Sequence, residues 1–189
     1  ALISAAAAGH LEALEVLIDA GANLEETTDT EGNTALMVAA QGDKTECVKY
    51  LLEKDAKVDA VNKEGDTALH FAVRSGYINC VLQLVGAGAD PDKKNNKRIP
   101  PQTPAVKGWL GMGGEITKVL EDVKKIRDLL EEEGKEGEVI EILNDEKTET
   151  LNTLINLKDK NGTPVLVLAV KENKKSLFNE LLKKKGLNI

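Results

Sequence analysis

Gly32-Asn33-Thr34-Ala35-Leu36-Met37-Val38-Ala39 returns 33 positions later as Gly65-Asp66-Thr67-Ala68-Leu69-His70-Phe71-Ala72. The register holds beyond the octet. Cys47-Val48 falls on Cys80-Val81, Leu51-Leu52 on Leu84-Val85, and Val58-Asp59 on Pro91-Asp92. Upstream, Ala5-Ala6 falls on Ala39-Ala40 at an offset of 34, the extra residue lying between Gly21 and Gly32. Downstream, Gly162 to Ala169 repeats the spacing of Gly65 to Ala72, and Leu181-Leu182 stands where Leu51-Leu52 does. A constant period of this length means one supersecondary unit repeated along the chain.

Each unit reads as two short helices and a loop. Thr34 caps a first helix whose apolar residues are Leu36, Val38, Ala39 and Ala40, ending near Gly42. A second helix carries Cys47, Val48, Leu51 and Leu52 at helical spacing and breaks near Asp55. The polar stretch 57–66 leads to the next unit. Alanines on the first helix let neighbouring helices approach closely. Such a unit cannot bury its apolar face alone, so the units must stack.

These residues resemble the ankyrin repeat, whose pattern is Gly-x-Thr-Pro-Leu-His-x-Ala-Ala, then Gly-His, then Val-x-x-Leu-Leu and Gly-Ala. The match covers residues 1–92 and 154–189 and weakens between them. Ala35 and Ala68 stand where Pro is usual, Pro164 where Thr is usual, and Met37 and Val167 where His is usual. The resemblance implies an all-α solenoid of stacked helix-turn-helix units joined by hairpin-like loops. It also implies a role for His70 in bracing the loop between units, and for His10 in the Gly-His turn.

The expected organisation is one domain over 1–189, with units roughly at 1–31, 32–64 and 65–97, a diverged stretch at 98–161 and a terminal unit at 162–189. Ala1-Leu2 aligns with Ala35-Leu36, so the first unit lacks its loop and capping Thr, and no initiator Met is present. This reads as a piece of a longer protein. An insertion is expected at 95–101, followed by a restored helix start at Thr103-Pro104. The four glycines of 107–114 are poor helix material. Ile116, Val119, Leu120, Val123, Ile126, Leu129 and Leu130 then define an amphipathic helix of about four turns. Residues 115–155 continue the stack or form an inserted helical hairpin.

Composition narrows the function classes. The chain has 189 residues, 41% hydrophobic but only 3% aromatic, so its core is aliphatic. No apolar run approaches the ~18–20 residues needed to span a bilayer. A net charge of −7 argues against a generic nucleic-acid binder. Residues 115–149 hold 13 acidic and 6 basic side chains, so the net charge is assigned to that segment, with the remainder cancelling. Cys47 and Cys80 occupy equivalent core positions about one helix diameter apart, ~10 Å, beyond disulfide reach. They read as reduced thiols, which points to the cytoplasm or the nucleus. Two Cys and two His at unrelated separations give no metal-ligand spacing. The Gly-rich 108–114 stretch lacks a Gly-Lys-Ser/Thr ending, follows no predicted strand and places Glu115 at its mouth, so it reads as a turn rather than a phosphate cradle. No nucleophile elbow surrounds Ser4, Ser75 or Ser176. An enzyme is not expected, nor is a cofactor.

The expected activity is binding of a protein or peptide on a concave surface. In proteins of the resembled family, contacts come from loop tips and the exposed end of the first helix. Carried over by alignment, those positions are Thr30, Glu31, Asn33, Gln41 and Lys44 in one unit. In the next they are Lys63, Glu64, Asp66, Arg74, Ser75 and Tyr77, and in the last Lys160, Asn161, Thr163, Lys171, Glu172 and Lys174. Trp109, the only Trp, is either a partner anchor or a gap filler. The alternative role is a scaffold segment of a larger assembly, docking through the acidic stretch 115–149. Nucleic-acid or anionic-lipid contact through the basic loop 93–98 and the C-terminal lysines is disfavoured, the loop reading as a solvated one. The lysines flanking Leu177, Phe178, Leu181 and Leu182 suit a C-terminal capping unit.

Overall fold

The computed structural model describes residues 1–101, 113–130, 138–139 and 141–142. Seven helices lie among them: α1 Leu2–Ala8, α2 Leu11–Asp19, α3 Ala35–Gln41, α4 Thr45–Glu53, α5 Ala68–Ser75, α6 Ile78–Gly86 and α7 Gly113–Leu130. Among the described residues there is no strand, only a single antiparallel bridge between Thr27 and Thr34. The chain divides into two compact units, Ala1–Leu84 with Ala89–Thr117, and Val85–Gly88 with Lys118–Ile189.

The first compact unit is a three-repeat stack. Within repeats, α1 packs on α2 and α3 on α4. Between repeats, α1 packs on α3, α3 on α5, and α2 on α4. Its core is aliphatic, as the composition requires: Leu2, Leu14, Leu51, Leu69 and Leu84 are fully buried, with alanines 6, 39, 40 and 72 at the close approaches.

Local chemistry fixes the helix ends. Thr34 Oγ1 accepts from Met37 N at 3.4 Å, and Thr67 Oγ1 from His70 N at 3.4 Å. Each satisfies a donor that the first helical turn leaves orphaned. At Thr67 the cap is reciprocal, because Thr67 N donates to His70 Nδ1 at 3.1 Å. Helices α1 and α5 end on glycines in the left-handed region, Gly9 at φ 76 and Gly76 at φ 78. These turns reverse the chain within two residues, so the second helix lies back against the first.

The loop after repeat three departs from expectation. Gly32 and Gly65 hold φ 74 and 78, and 33 residues later the same backbone conformation is taken by Arg98 at φ 60. Asn95 closes this loop as Asn62 closes the one before it, with Asn95 N donating to Ile99 O and Asn62 N to Asp66 O, both at 3.0 Å. The repeat therefore stays in register through Ile99, and no insertion falls at 95–99. The missing glycine hid this continuity.

Helix α7 also begins earlier than the glycines suggested, taking in Gly113 and Gly114. Glycine costs a helix ~1 kcal/mol per residue. A first turn carries little of the hydrogen-bond ladder, and Ile116, Val119, Leu120, Val123, Ile126 and Leu129 are all buried. Residues 138–139 and 141–142 are helical, and Val139 is buried. Thr103-Pro104, Trp109 and everything beyond 142, including the terminal unit, lie outside the described residues.

The glycine position gives a paired prediction. A Cβ on Gly65 would stand 2.7 Å from the Asn96 backbone nitrogen, on a backbone that side chains adopt reluctantly. Gly65→Ala should therefore lower the urea-unfolding free energy by more than about 1 kcal/mol, while Arg98→Gly should raise it by up to ~1 kcal/mol.

Candidate partner-binding surface

The loops between repeats are tied into a ladder, and the ladder decides which nominated residues can face a partner. Asn62 Oδ1 accepts from Glu64 N at 3.0 Å and Asp66 N at 2.9 Å, while its Nδ2 donates to Asn33 Oδ1 at 2.8 Å. One period on, Asn95 Oδ1 accepts from Lys97 N and Ile99 N, both at 3.0 Å, and its Nδ2 donates to Asp66 Oδ1 at 2.7 Å. In the first loop Thr28 takes this role, its Oγ1 accepting from Asn33 N at 3.0 Å. Main-chain links run beside the side chains: Lys63 N donates to Glu31 O at 3.0 Å and Asn96 N to Glu64 O at 2.9 Å.

Asn33 and Asp66 are therefore rungs of the ladder, 2% and 5% exposed, and their side chains are turned away from solvent. The other nominated positions stay at the surface. Thr30, Glu31, Gln41, Lys63, Glu64 and Arg74 are exposed, and Lys44, Ser75 and Tyr77 are half-buried. Several also do internal work. Lys63 Nζ donates to the carbonyls of Asp29 and Thr30, at 2.5 and 3.0 Å. Glu31 accepts from Asn33 Nδ2 at 2.6 Å. Glu64 pairs with Lys97 at 3.4 Å across an exposed gap, worth at most ~1 kcal/mol. Arg74 donates to Asp66 Oδ2 at 2.6 Å and lies over the Phe71 ring. Gln41, equivalent to Ala7 and Arg74, has no such duty in the ladder. Lys160, Asn161, Thr163, Lys171, Glu172, Lys174 and Trp109 lie outside the described residues.

Sequence reasoning missed Asn62 and Asn95, whose 33-residue separation was the available signal. It also treated the basic loop 93–98 as simply solvated. Lys93 Nζ instead donates to Asp59 O at 2.9 Å and Lys97 pairs with Glu64, which leaves Lys94 and Arg98 as its outward charges.

His70 anchors the third loop, as expected for a brace between units. Its Nδ1 receives Thr67 N, and its Nε2 donates to Ile99 O at 3.0 Å. That pair of bonds requires the neutral Nε2–H tautomer. Burial pushes His70 below the usual imidazole range; the bond to Ile99 and the charge of Asp66 oppose this only in part, and Arg74 adds to it. Burial alone would raise the Asp66 carboxyl, but bonds from Asn95 and Arg74 and the Arg74 charge outweigh it and hold the group below its ordinary value.

Cys47 and Cys80 are free and buried. Cys80 donates to Asp43 Oδ1 at 3.4 Å and lies 3.8 Å from Thr45 Oγ1, both from the preceding repeat. Burial pushes its thiol up to about 12 and also raises that of Cys47. Neither is a nucleophile in the folded chain. Among the described residues no group of three or more His, Cys, Asp or Glu is placed to hold a metal ion, and no helix is long and apolar enough to cross a membrane.

Two measurements check this arrangement. Asn62→Ala strands one buried and one part-buried backbone donor and should cost about 2 kcal/mol in urea unfolding. A neutral His70 in the fold means that the unfolded chain takes up the proton first as pH falls through about 6.5. Stability should therefore drop between pH 7 and 5. His70→Gln should flatten that slope, and Asp66 should add a further loss only below about pH 4.

Comparisons with known proteins agree with this geometry. The sequence profile described as "Ankyrin repeats (3 copies)" matches residues 2–95. A 64-residue stretch, 32% of the chain, is 48% identical to the "Ankyrin repeat and KH domain-containing protein mask-1" of Caenorhabditis elegans, and corresponds to 2% of that protein's length. The period, the capped helix pairs, the loop ladder and these matches together make residues 2–95 an array of three ankyrin repeats.

Proposed function

We propose that the repeat array is a non-catalytic module that binds a protein or peptide on a concave strip formed by its loop tips and first helices. Ankyrin repeats are generally protein–protein interaction modules. The observation that supports this strip is the division of labour within each loop. The ladder takes up Asn33, Asn62, Asp66 and Asn95, while Thr30, Glu31, Gln41, Lys63, Glu64 and Arg74 stay in solvent on the same loops and helices. A rigid, internally satisfied loop presents its remaining side chains at little ordering cost, which favours binding.

The same reading treats 98–189 as a continuation of the array, so that the whole chain acts as one domain. Its setting is a reducing compartment, the cytoplasm or the nucleus, which suits two buried thiols. Docking through 115–149 has less support, because the apolar stripe of α7 is already buried.

The test is a pull-down with the wild-type chain and three variants, read by quantitative mass spectrometry. Gln41→Arg and Tyr77→Ala should each lower partner recovery about tenfold or more, a loss of ~1.4 kcal/mol or greater. Arg74→Glu should do the same while also losing its bond to Asp66. Recovery unchanged by Gln41→Arg and Tyr77→Ala would place binding elsewhere and overturn the proposal.

A further inference from the structure

The three loops occupy equivalent stretches, 22–32, 55–65 and 88–98, and their charge changes sign along the array. The first holds four acids and no base, the second three acids and two bases, and the third two acids and four bases. Net charge therefore steps from −4 through −1 to +2. The tips follow the same order: Asp29 and Glu31, then Lys63 and Glu64, then Lys97 and Arg98, all of them exposed.

Bonds within the fold spend the charges of the middle loop and leave the two poles. Glu64 is paired with Lys97 at 3.4 Å, and Lys63 Nζ is held on the carbonyls of Asp29 and Thr30. Lys63 offsets part of the first loop's charge, but four carboxylates remain against one ammonium. Among the described residues, no ion pair involves Glu25, Glu26, Asp29 or Glu31 at one pole, or Lys94 or Arg98 at the other. The main-chain bonds from Lys63 N to Glu31 O and from Asn96 N to Glu64 O fix the tips side by side. At one helix diameter per repeat, ~10 Å, the poles lie about 20 Å apart. About six residues of extended chain cover that span.

We propose that the partner of this strip is a protein segment of opposite charge polarity, held in one orientation, with Lys or Arg over the first loop, Asp or Glu over the third and about six uncharged residues between them. The inference rests on the loop-tip strip proposed above and adds the chemistry of its occupant. Complementary potentials of this kind fix register and suppress wrong partners. A segment turned end for end would set like charges against each other at both poles. A nucleic acid or an anionic membrane, negative throughout, would lose at the first loop what it gained at the third.

The test uses the full chain and a synthetic peptide in which a lysine run and a glutamate run are separated by about six serines. At low salt, where charge is least screened, this peptide should bind about tenfold or more tightly than one of the same composition with lysine and glutamate alternating. A nitroxide on its lysine end should broaden the amide resonances of Asp29, Thr30 and Glu31, and one on its glutamate end those of Asn96, Lys97 and Arg98. Glu26→Lys/Asp29→Lys/Glu31→Lys and Lys94→Glu/Arg98→Glu change exposed positions, so the circular dichroism spectrum should be kept. Each should weaken the peptide about tenfold, and the two sets combined should restore binding with the labelled ends exchanged. Equal affinity for both peptides, broadening at both tips from either label, or tighter binding of a thymidine oligonucleotide than of the peptide would overturn the proposal. The pull-down separates this outcome from that of the proposed function. A partner lost with Gln41→Arg but indifferent to both charge reversals would overturn the polarity alone, whereas indifference to Gln41→Arg and Tyr77→Ala overturns the strip itself.

Discussion

The second and third loops of the first compact unit each depend on one side chain that answers two needs at once. An Asx carboxamide closes its own loop by accepting two backbone N–H groups, and its amide then reaches back to the preceding loop. The helix pairs supply hydrophobic area, but area is non-directional and would tolerate sliding of one pair on the next. The carboxamides do not tolerate it. Displacing one repeat would leave buried donors without acceptors, a cost of about 1–3 kcal/mol for each group. Register between repeats is thus set at the loops and energy is gathered in the helices.

The division explains what was legible in the sequence. Helix positions and the buried face could be read from Thr34, Leu36, Ala39, Val48 and Leu51 because apolar periodicity and capping act within a few residues. The third loop could not be placed as well, because its signature glycine is Arg98. The conformation there is maintained by the local bonds that Asn95 Oδ1 accepts and by the tertiary bond from His70 Nε2 to Ile99 O, which lies outside any local window. Likewise Asn33 and Asp66 read as surface residues by family position, and only the three-dimensional ladder shows that they are spent within the fold.

Charge was misread in an instructive way. Counting acids and bases outside 115–149 gives balance, yet balance in number is not balance in place. The first 43 residues carry acids alone, and the matching cations lie further along. Net charge says little about a quasi-one-dimensional molecule, in which each segment faces only its neighbours. The distribution along the array decides which end a partner meets first.

The buried thiols carry a consequence of a different kind. Cys80 sits at a boundary between repeats, held against Asp43 and Thr45 of its neighbour, with a thiol too basic to react while that boundary is closed. Cys47 occupies the same place one repeat earlier. Each sulfur is thus a clock for its own seam. The ratio of their labelling rates under native conditions reads whether the array opens as a single body or unzips from one end, a distinction that a single melting curve averages away.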